Sequence, residues 1–456
     1  MAAWLFLGLG AVSSSSPIVV VGGGVAGLRC ALALSTAGER VTVLEAANHV
    51  GGRVLTDHLD GFTLDRGFQV FLTAYPEYAG CLNLDELGLR TFWPGAVVQL
   101  GGGKTTLVAD PTRSPPQATL LPTLTTPLGT LEDKARLAVA VLRLKLVSLA
   151  DIFAREEQST LDHLRGRVQL SDSLVEEFLR PFFEGIFLAP LAKQSSVLFE
   201  FVLRMFLDGS AALPAAGIGA VPAQLARSVC DAGGTIECGV TVQSMEMGDA
   251  ARGVAHELVM SDGRRMGCER VILATTATDA ARLVGNDAAA AAQLEAEERY
   301  TSRCVYFALD HAPPVSQPIL VLNGKRGVVN NACFPSSVCP SYAPSGSSLA
   351  SVTVVGEPDS PDDELALEAR VRAELAEWFG AAEVSSWRHL RTYTVKGAQI
   401  GPFLGRQGFN RSPRVDGAAG VYRCGDYCAT PSLNGALRSG RVAAEALLAD
   451  ARAQEP

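Results

Sequence analysis

The chain has 456 residues, 48% of them hydrophobic and 19% charged, and carries a net charge of −9. That length allows about two to three domains and a sizeable core. With no basic stripe to release phosphate counterions, the acidic balance argues against a nucleic-acid partner.

Ten cysteines are scattered singly, with no Cys-x-x-Cys pair, and the six histidines show no metal-ligand spacing. Both read as reduced thiols and structural imidazoles, so no metal is expected and an intracellular reducing compartment is. At the N-terminus, Trp4 to Val12 is a short apolar run followed by Ser13 to Ser16. It is too short to span a bilayer and has no basic flank, so residues 1–16 read as a disordered leader. The compartment is then the cytoplasm, or a plastid if this stretch belongs to a transit peptide.

Ile18 to Val21 is an apolar strand, followed by Gly22-x-Gly24-x-x-Gly27, a helical pattern over Leu28, Ala31, Leu32 and Leu34, and a second apolar strand ending on Glu45. This is a βαβ unit for a dinucleotide. Gly22 permits the tight turn, Gly24 lets the backbone approach a pyrophosphate, and Gly27 allows helix and strand to pack closely. The positive end of the helix holds the phosphates. Glu45 stands where a carboxylate accepts hydrogen bonds from a ribose diol, which disfavours NADP. The choice between FAD and NAD stays open at this point.

After Glu45 come Gly51-Gly52-Arg53, then Asp60-Gly61-Phe62 and Leu64-Asp65-Arg66-Gly67-Phe68-Gln69. This run resembles the flavin amine oxidase superfamily, which includes phytoene desaturases, carotenoid isomerases and protoporphyrinogen oxidases. The resemblance implies FAD, with Gly22, Gly24, Ala26, Gly27 and Glu45 at its nucleotide half. Gly51, Gly52 and Arg53 would lie along its phosphates, with Gly67 and Phe68 beside the ring and Gln69 a substrate-pocket candidate next to them.

Further along, Pro111 to Pro127 is proline-rich and predicts no long helix. Helical spacing returns over Lys134 to Ala154 through Leu137, Val141, Leu144 and Val147, and Ser159-x-x-Asp162 reads as a helix start. Phe178 to Phe206 holds seven phenylalanines, among them Phe183 and Phe187. An ordinary core explains them as readily as an apolar substrate tunnel, which is what the resemblance implies. Pro214-x-x-Gly217-x-Gly219-x-x-Pro222 opens a helix to Ala232. Thr235 to Glu237 and Val240 to Val242 are expected to form a strand pair, and the resemblance puts the Val242 backbone at the adenine. A hairpin turning at Ser261 to Gly263 precedes the buried strand Arg270 to Thr275. Ala288 to Ala292 reads as part of a helix. The runs Cys304 to Leu309, Ile319 to Leu322 and Leu349 to Val355 suggest a second sheet, with a helix over Asp362 to Phe379.

Gly420 to Gly440 delivers Gly425-Asp426 on a strand and starts a helix near Ser432 to Gly435. By the resemblance, Gly425 and Asp426 meet the ribityl and phosphate region, and Leu433, Asn434 and Gly435 turn backbone N–H groups toward the pyrimidine edge. Such donors stabilise the negative charge of a reduced ring. The fold expected is α/β: a Rossmann-like FAD-binding domain (17–100, 214–285 and 411–456) with a discontinuous α+β substrate domain (101–213 and 286–410).

A non-covalent FAD, rather than one linked to Cys424 or Cys428, would exchange a hydride with a lipophilic substrate such as a carotenoid, isoprenoid or tetrapyrrole. The enzyme would be a desaturase, dehydrogenase or oxidase, and Tyr393 and Lys396 are further pocket candidates. An amine oxidase is the alternative, weakened because Cys304 to Leu309 lacks the lysine, and Ser432-Leu433 the aromatic, that such enzymes usually carry. A redox-neutral isomerase and a non-catalytic FAD-binding protein also remain. A lipophilic substrate admits peripheral membrane contact, though no run of about 20 apolar residues is present. Composition fixes neither the oligomeric state nor the catalytic residue.

Overall fold

The computed structural model describes residues 17–248, 255–285, 299–356, 364–400 and 410–454. The expected leader over 1–16 and the alanine-rich stretch over 288–292 lie outside them.

A five-stranded parallel sheet runs in the order Thr235–Cys238, Val41–Glu45, Ile18–Val21, Val271–Leu273 and Val421–Arg423. Its two central strands, Ile18–Val21 and Val271–Leu273, are continuous apolar runs and are buried throughout, as a sheet covered on both faces requires. Segments from both ends of the chain and from its middle are therefore hydrogen-bonded neighbours. The helix Val25–Thr36 packs against the helix Leu433–Gln454. Glycine makes this crossing close, since a Cβ on Gly440 would collide with the Ala26 carbonyl oxygen.

One expected pairing is corrected. Thr235–Cys238 joins the parallel sheet, whereas Val242–Glu246 pairs with His256–Met260 in a separate antiparallel sheet that also holds Arg265–Cys268. Gly239, with φ of +75°, turns the chain between the two.

The second large sheet has seven strands in the order Arg388–Ile400, Arg299–Leu309, Ser348–Val355, Asn331–Cys333, Leu320–Asn323, Gly95–Gly101 and Lys104–Ala109. A domain boundary at residue 100 thus cuts a strand, and Gly95–Gly101 belongs with the substrate sheet through its parallel pairing to Leu320–Asn323. Alternation along Arg299–Leu309 divides its two faces. Val305, Phe307 and Leu309 meet Leu367, Val371 and Leu375 of the helix Glu364–Phe379. Cys304, Tyr306 and Ala308 instead cluster with Phe62, Leu64 and Phe92.

Between the sheets the chain is helical. A ten-residue helix, Pro116–Thr125, forms in the proline-rich stretch where no long helix was expected. Pro116 stands in its first turn, where a missing N–H costs nothing, and the helix ends soon after Pro122. The helix expected over Lys134 to Ala154 is two, Leu131–Leu146 and Leu149–Phe153, separated at Val147 and recapped by the Ser148 hydroxyl. Phe183 and Phe187 stack in the main core, Phe183 against Phe199 as well, each worth about 1.5–3 kcal/mol of burial.

Candidate functional site

The first site element is the turn after Ile18–Val21. Gly22 has φ of +111°, and a Cβ there would meet the Ala274 carbonyl oxygen at 2.7 Å. A Cβ on Gly27 would run into the Gly22 carbonyl. Gly24 differs, for a Cβ built on it meets nothing within 4 Å. It caps the helix Val25–Thr36 without any side-chain acceptor, and no acid stands in the first turn. The positive end of this helix is thus left without a capping side chain and with open space at Gly24, which suits a diphosphate.

Glu45 closes one side of this opening. Its carboxylate accepts from Gly23 N–H at 2.6 Å and from Ala47 N–H at 2.9 Å. Each oxygen keeps a lone pair, so a ribose diol can still be bound. Val240 N–H donates to the Glu45 carbonyl at 2.9 Å, which brings the segment leading into Val242 alongside. Val242 itself is buried.

Gly51 and Gly52 lie back to back with the first turn: Gly51 N–H donates to the Gly23 carbonyl at 2.9 Å, and Gly51 bridges Gly24. Next to them, Arg53 pairs with Asp426 at 2.7 Å and donates from Nη1 to the Ala398 carbonyl at 2.9 Å. Asp426 follows Gly425, whose N–H donates to Ser439 Oγ at 3.0 Å. A Cβ on Gly425 would press on the Tyr427 ring at 2.5 Å.

The helix start at Leu433 is partly committed internally. Gly435 N–H donates to Ser432 Oγ at 3.0 Å, and a Cβ on Gly435 would collide with the Thr430 carbonyl. Gly435 is therefore closely packed, and its amide is engaged by the Ser432 hydroxyl at the start of the helix. The Asn434 side-chain carbonyl accepts from Glu77 N–H at 3.1 Å. The segments carrying Gly24, Glu45, Gly51, Arg53 and Asp426 are brought to one groove, and its open helix start, carboxylate and glycine floor fit FAD.

The strand Arg388–Ile400 runs beside the segment that carries Gly67. A Cβ on Gly67, at φ of +87°, would touch Val395 at 3.6 Å. Gln69 Nε2 donates to the Arg53 and Arg66 carbonyls, both at 3.1 Å, fixing the loop rather than pointing away from it. Phe68 meets Phe92 edge-on, and Tyr393 meets Tyr306 edge-on. Lys396 is exposed on the same strand. Phe183 and Phe187, by contrast, are buried in the helical core.

Two groups escaped the sequence reading. Tyr393 OH donates to Asp57 at 2.7 Å, and Arg66 grips the same carboxylate with two bonds, at 3.0 and 2.9 Å. The bond from Arg66 holds Asp57 below the ordinary carboxylate range. Asp65 is a buried hub. It accepts from Thr56 Oγ1 at 2.6 Å, from Ile218 N–H at 2.9 Å and from Tyr342 OH at 2.9 Å, while its carbonyl accepts from Tyr306 OH at 2.9 Å. Burial pushes its carboxyl up to about 6, against those donated bonds. The acid two residues before a glycine was visible in the sequence; its partners, from three distant segments, were not.

Residues 25–448 match the family model described as flavin containing amine oxidoreductase. A coproporphyrinogen III oxidase from Propionibacterium freudenreichii subsp. freudenreichii is 39% identical over 92 residues, which are 20% of this chain and 16% of that protein. A carotenoid phi-ring synthase from Streptomyces griseus is 29% identical over 178 residues, 36% of this chain and 34% of that protein. These matches span about a third or less of those relatives' length. The crystal structure of an oxidoreductase from Methanosarcina mazei superposes with a TM-score of 0.74 at 18% identity, covering 94% of this chain and 100% of that one. The chain belongs to the flavin containing amine oxidoreductase family.

Proposed function

We propose that this protein is a desaturase, dehydrogenase or oxidase that takes a hydride from a lipophilic substrate of the carotenoid, isoprenoid or tetrapyrrole kind. The observation that carries this reading is the apolar cluster between the flavin segment and the substrate sheet. Cys304, Tyr306, Phe92 and Leu213 are its buried part, and half-buried Phe68 and Tyr393 form its rim. Such a wall binds by area and shape rather than by charge. FAD supplies the two-electron exchange. Around it, Gly24 and the helix start hold the diphosphate, Glu45 the ribose, and Arg53 with Asp426 the stretch between diphosphate and ring.

An amine substrate fits less well. The carboxylate beside Tyr393 is Asp57, already matched by Arg66 and, at 3.7 Å, by Arg391, so no free anion remains there for an ammonium group. Attachment of the flavin is non-covalent in this reading. Cys424 is fully buried, and burial pushes the Cys428 thiol up to about 12, which leaves a poor nucleophile.

The test is to mix the oxidised and the reduced protein separately with carotenoid, porphyrinogen and polyamine panels and to follow flavin absorbance. Bleaching by a carotenoid or porphyrinogen is expected. Bleaching by polyamines would reverse the ranking, and no response from any class would leave an FAD-binding protein without turnover.

A further inference from the structure

Among the described residues, eight of the ten exposed large hydrophobic side chains fall between Leu120 and Phe153. The helix Leu131–Leu146 accounts for four of them and has two apolar stripes. Leu137 and Leu144 turn inward onto the core. Leu131, Leu142 and Leu146 are 83%, 67% and 85% exposed, and Ala135 and Ala138 between them are exposed too. Their three- and four-residue spacing puts them on one outward face. Apolar residues at that spacing normally face a core, so this helix presents a second face that no described residue covers. Leu120, Leu121 and Leu124 of the helix Pro116–Thr125 extend it. Lys134 Nζ fastens the two helices by donating to the Leu124 carbonyl at 3.3 Å and the Thr126 carbonyl at 3.0 Å.

Charge identifies the occupant. The chain carries −9 overall, yet this helix holds Lys134, Arg136, Arg143 and Lys145 against only Glu132 and Asp133. Asp133 is buried as the partner of Thr130 and Ser171, and Glu132 is neutralised by Arg136. Arg143 and Lys145 are exposed and, among the described residues, have no hydrogen-bond or ion-pair partner. Leucines along the middle of a face with cations at its edges are the pattern of a helix lying in the interface of an anionic bilayer. No described helix is long and apolar enough to cross a membrane.

We propose that Pro116–Thr125 and Leu131–Leu146 form a docking surface for an anionic lipid membrane, with Leu131, Leu142 and Leu146 entering the headgroup boundary and Arg143 and Lys145 pairing with lipid phosphates or carboxylates. This surface stands on its own geometry, whatever substrate the flavin site takes.

Flotation of the full-length, flavin-loaded protein with vesicles tests it. Phosphatidylcholine vesicles containing about 30% phosphatidylserine are expected to carry the protein upward, and pure phosphatidylcholine to carry much less, with high salt releasing it. Arg143→Ala and Lys145→Ala should each weaken partitioning roughly fivefold. Leu142→Glu with Leu146→Glu should abolish it while flavin absorbance stays unchanged, since both sites are exposed. Wild-type protein that fails to float with anionic vesicles overturns the proposal. So does a concentration-dependent dimer that Leu142→Glu dissociates, which would make the face a contact between two copies. Neither result bears on the substrate panels, so the two readings fail separately.

Discussion

Arg53 and Asp426, one in the glycine segment after the second strand and the other beyond the last strand of the parallel sheet, form an ion pair at 2.7 Å. Arg53 also binds the Ala398 carbonyl of the substrate strand, so one guanidinium joins three segments that converge on the flavin groove.

That pair predicts a non-additive loss. Arg53→Ala leaves the nearly buried Asp426 without its counter-charge, and FAD affinity should fall by about 1–3 kcal/mol. The double variant Arg53→Ala/Asp426→Ala should lose less than the sum of the two single changes. Titration of apoprotein with FAD measures all three, and strict additivity would mean that the two side chains act independently on the cofactor.

Glu45→Ala removes the acceptor for the ribose diol and for Gly23 N–H together. Flavin retention should drop by about 1–3 kcal/mol, a factor of roughly 5 to 150 in Kd. A variant that purifies as yellow as the wild type would remove Glu45 from the cofactor site.

Gly440→Ala tests the helix crossing. The added methyl would meet the Ala26 carbonyl, and overpacking of that kind costs about 1–3 kcal/mol. Urea unfolding should show the loss, accompanied by weaker flavin binding, because Ala26 lies in the first turn of the phosphate-binding helix. Unchanged stability would show that the two helices can separate freely.

Asp65 predicts a pH dependence. Its folded pKa of about 6 lies above the ordinary 3.8, so the folded chain holds this proton more tightly than the unfolded one. Its contribution to stability is full below about pH 4 and is lost as pH rises through about 6, a difference of about 3 kcal/mol. Asp65→Asn cannot titrate, so thermal unfolding of the variant should decline less between pH 4 and pH 7. Parallel curves for the two proteins would reject the assignment.

The nucleotide half of the site was legible because it is local. Strand, glycine turn, helix and Glu45 follow one another within a single βαβ unit, and their spacing reports their geometry. Asp426 lies far along the chain, and only resemblance connected it to the first turn. Asp65 was invisible as a hub because, Thr56 apart, its donors Ile218 and Tyr342 come from segments far along the chain that meet it only in the folded state. The outward leucines were overlooked for another reason. Periodicity finds an apolar face and assigns it to the core, and the helix Leu131–Leu146 has two such faces, of which Leu137, Val141 and Leu144 satisfied the rule first.

The Gly440 contact on Ala26 also sets an order of events in the cell. A growing chain emerges with Gly22 first, but the groove for the cofactor does not exist until Leu433–Gln454 has been made and has crossed the earlier helix. Any cofactor held in this groove would therefore be taken up only after the last helix has been synthesised.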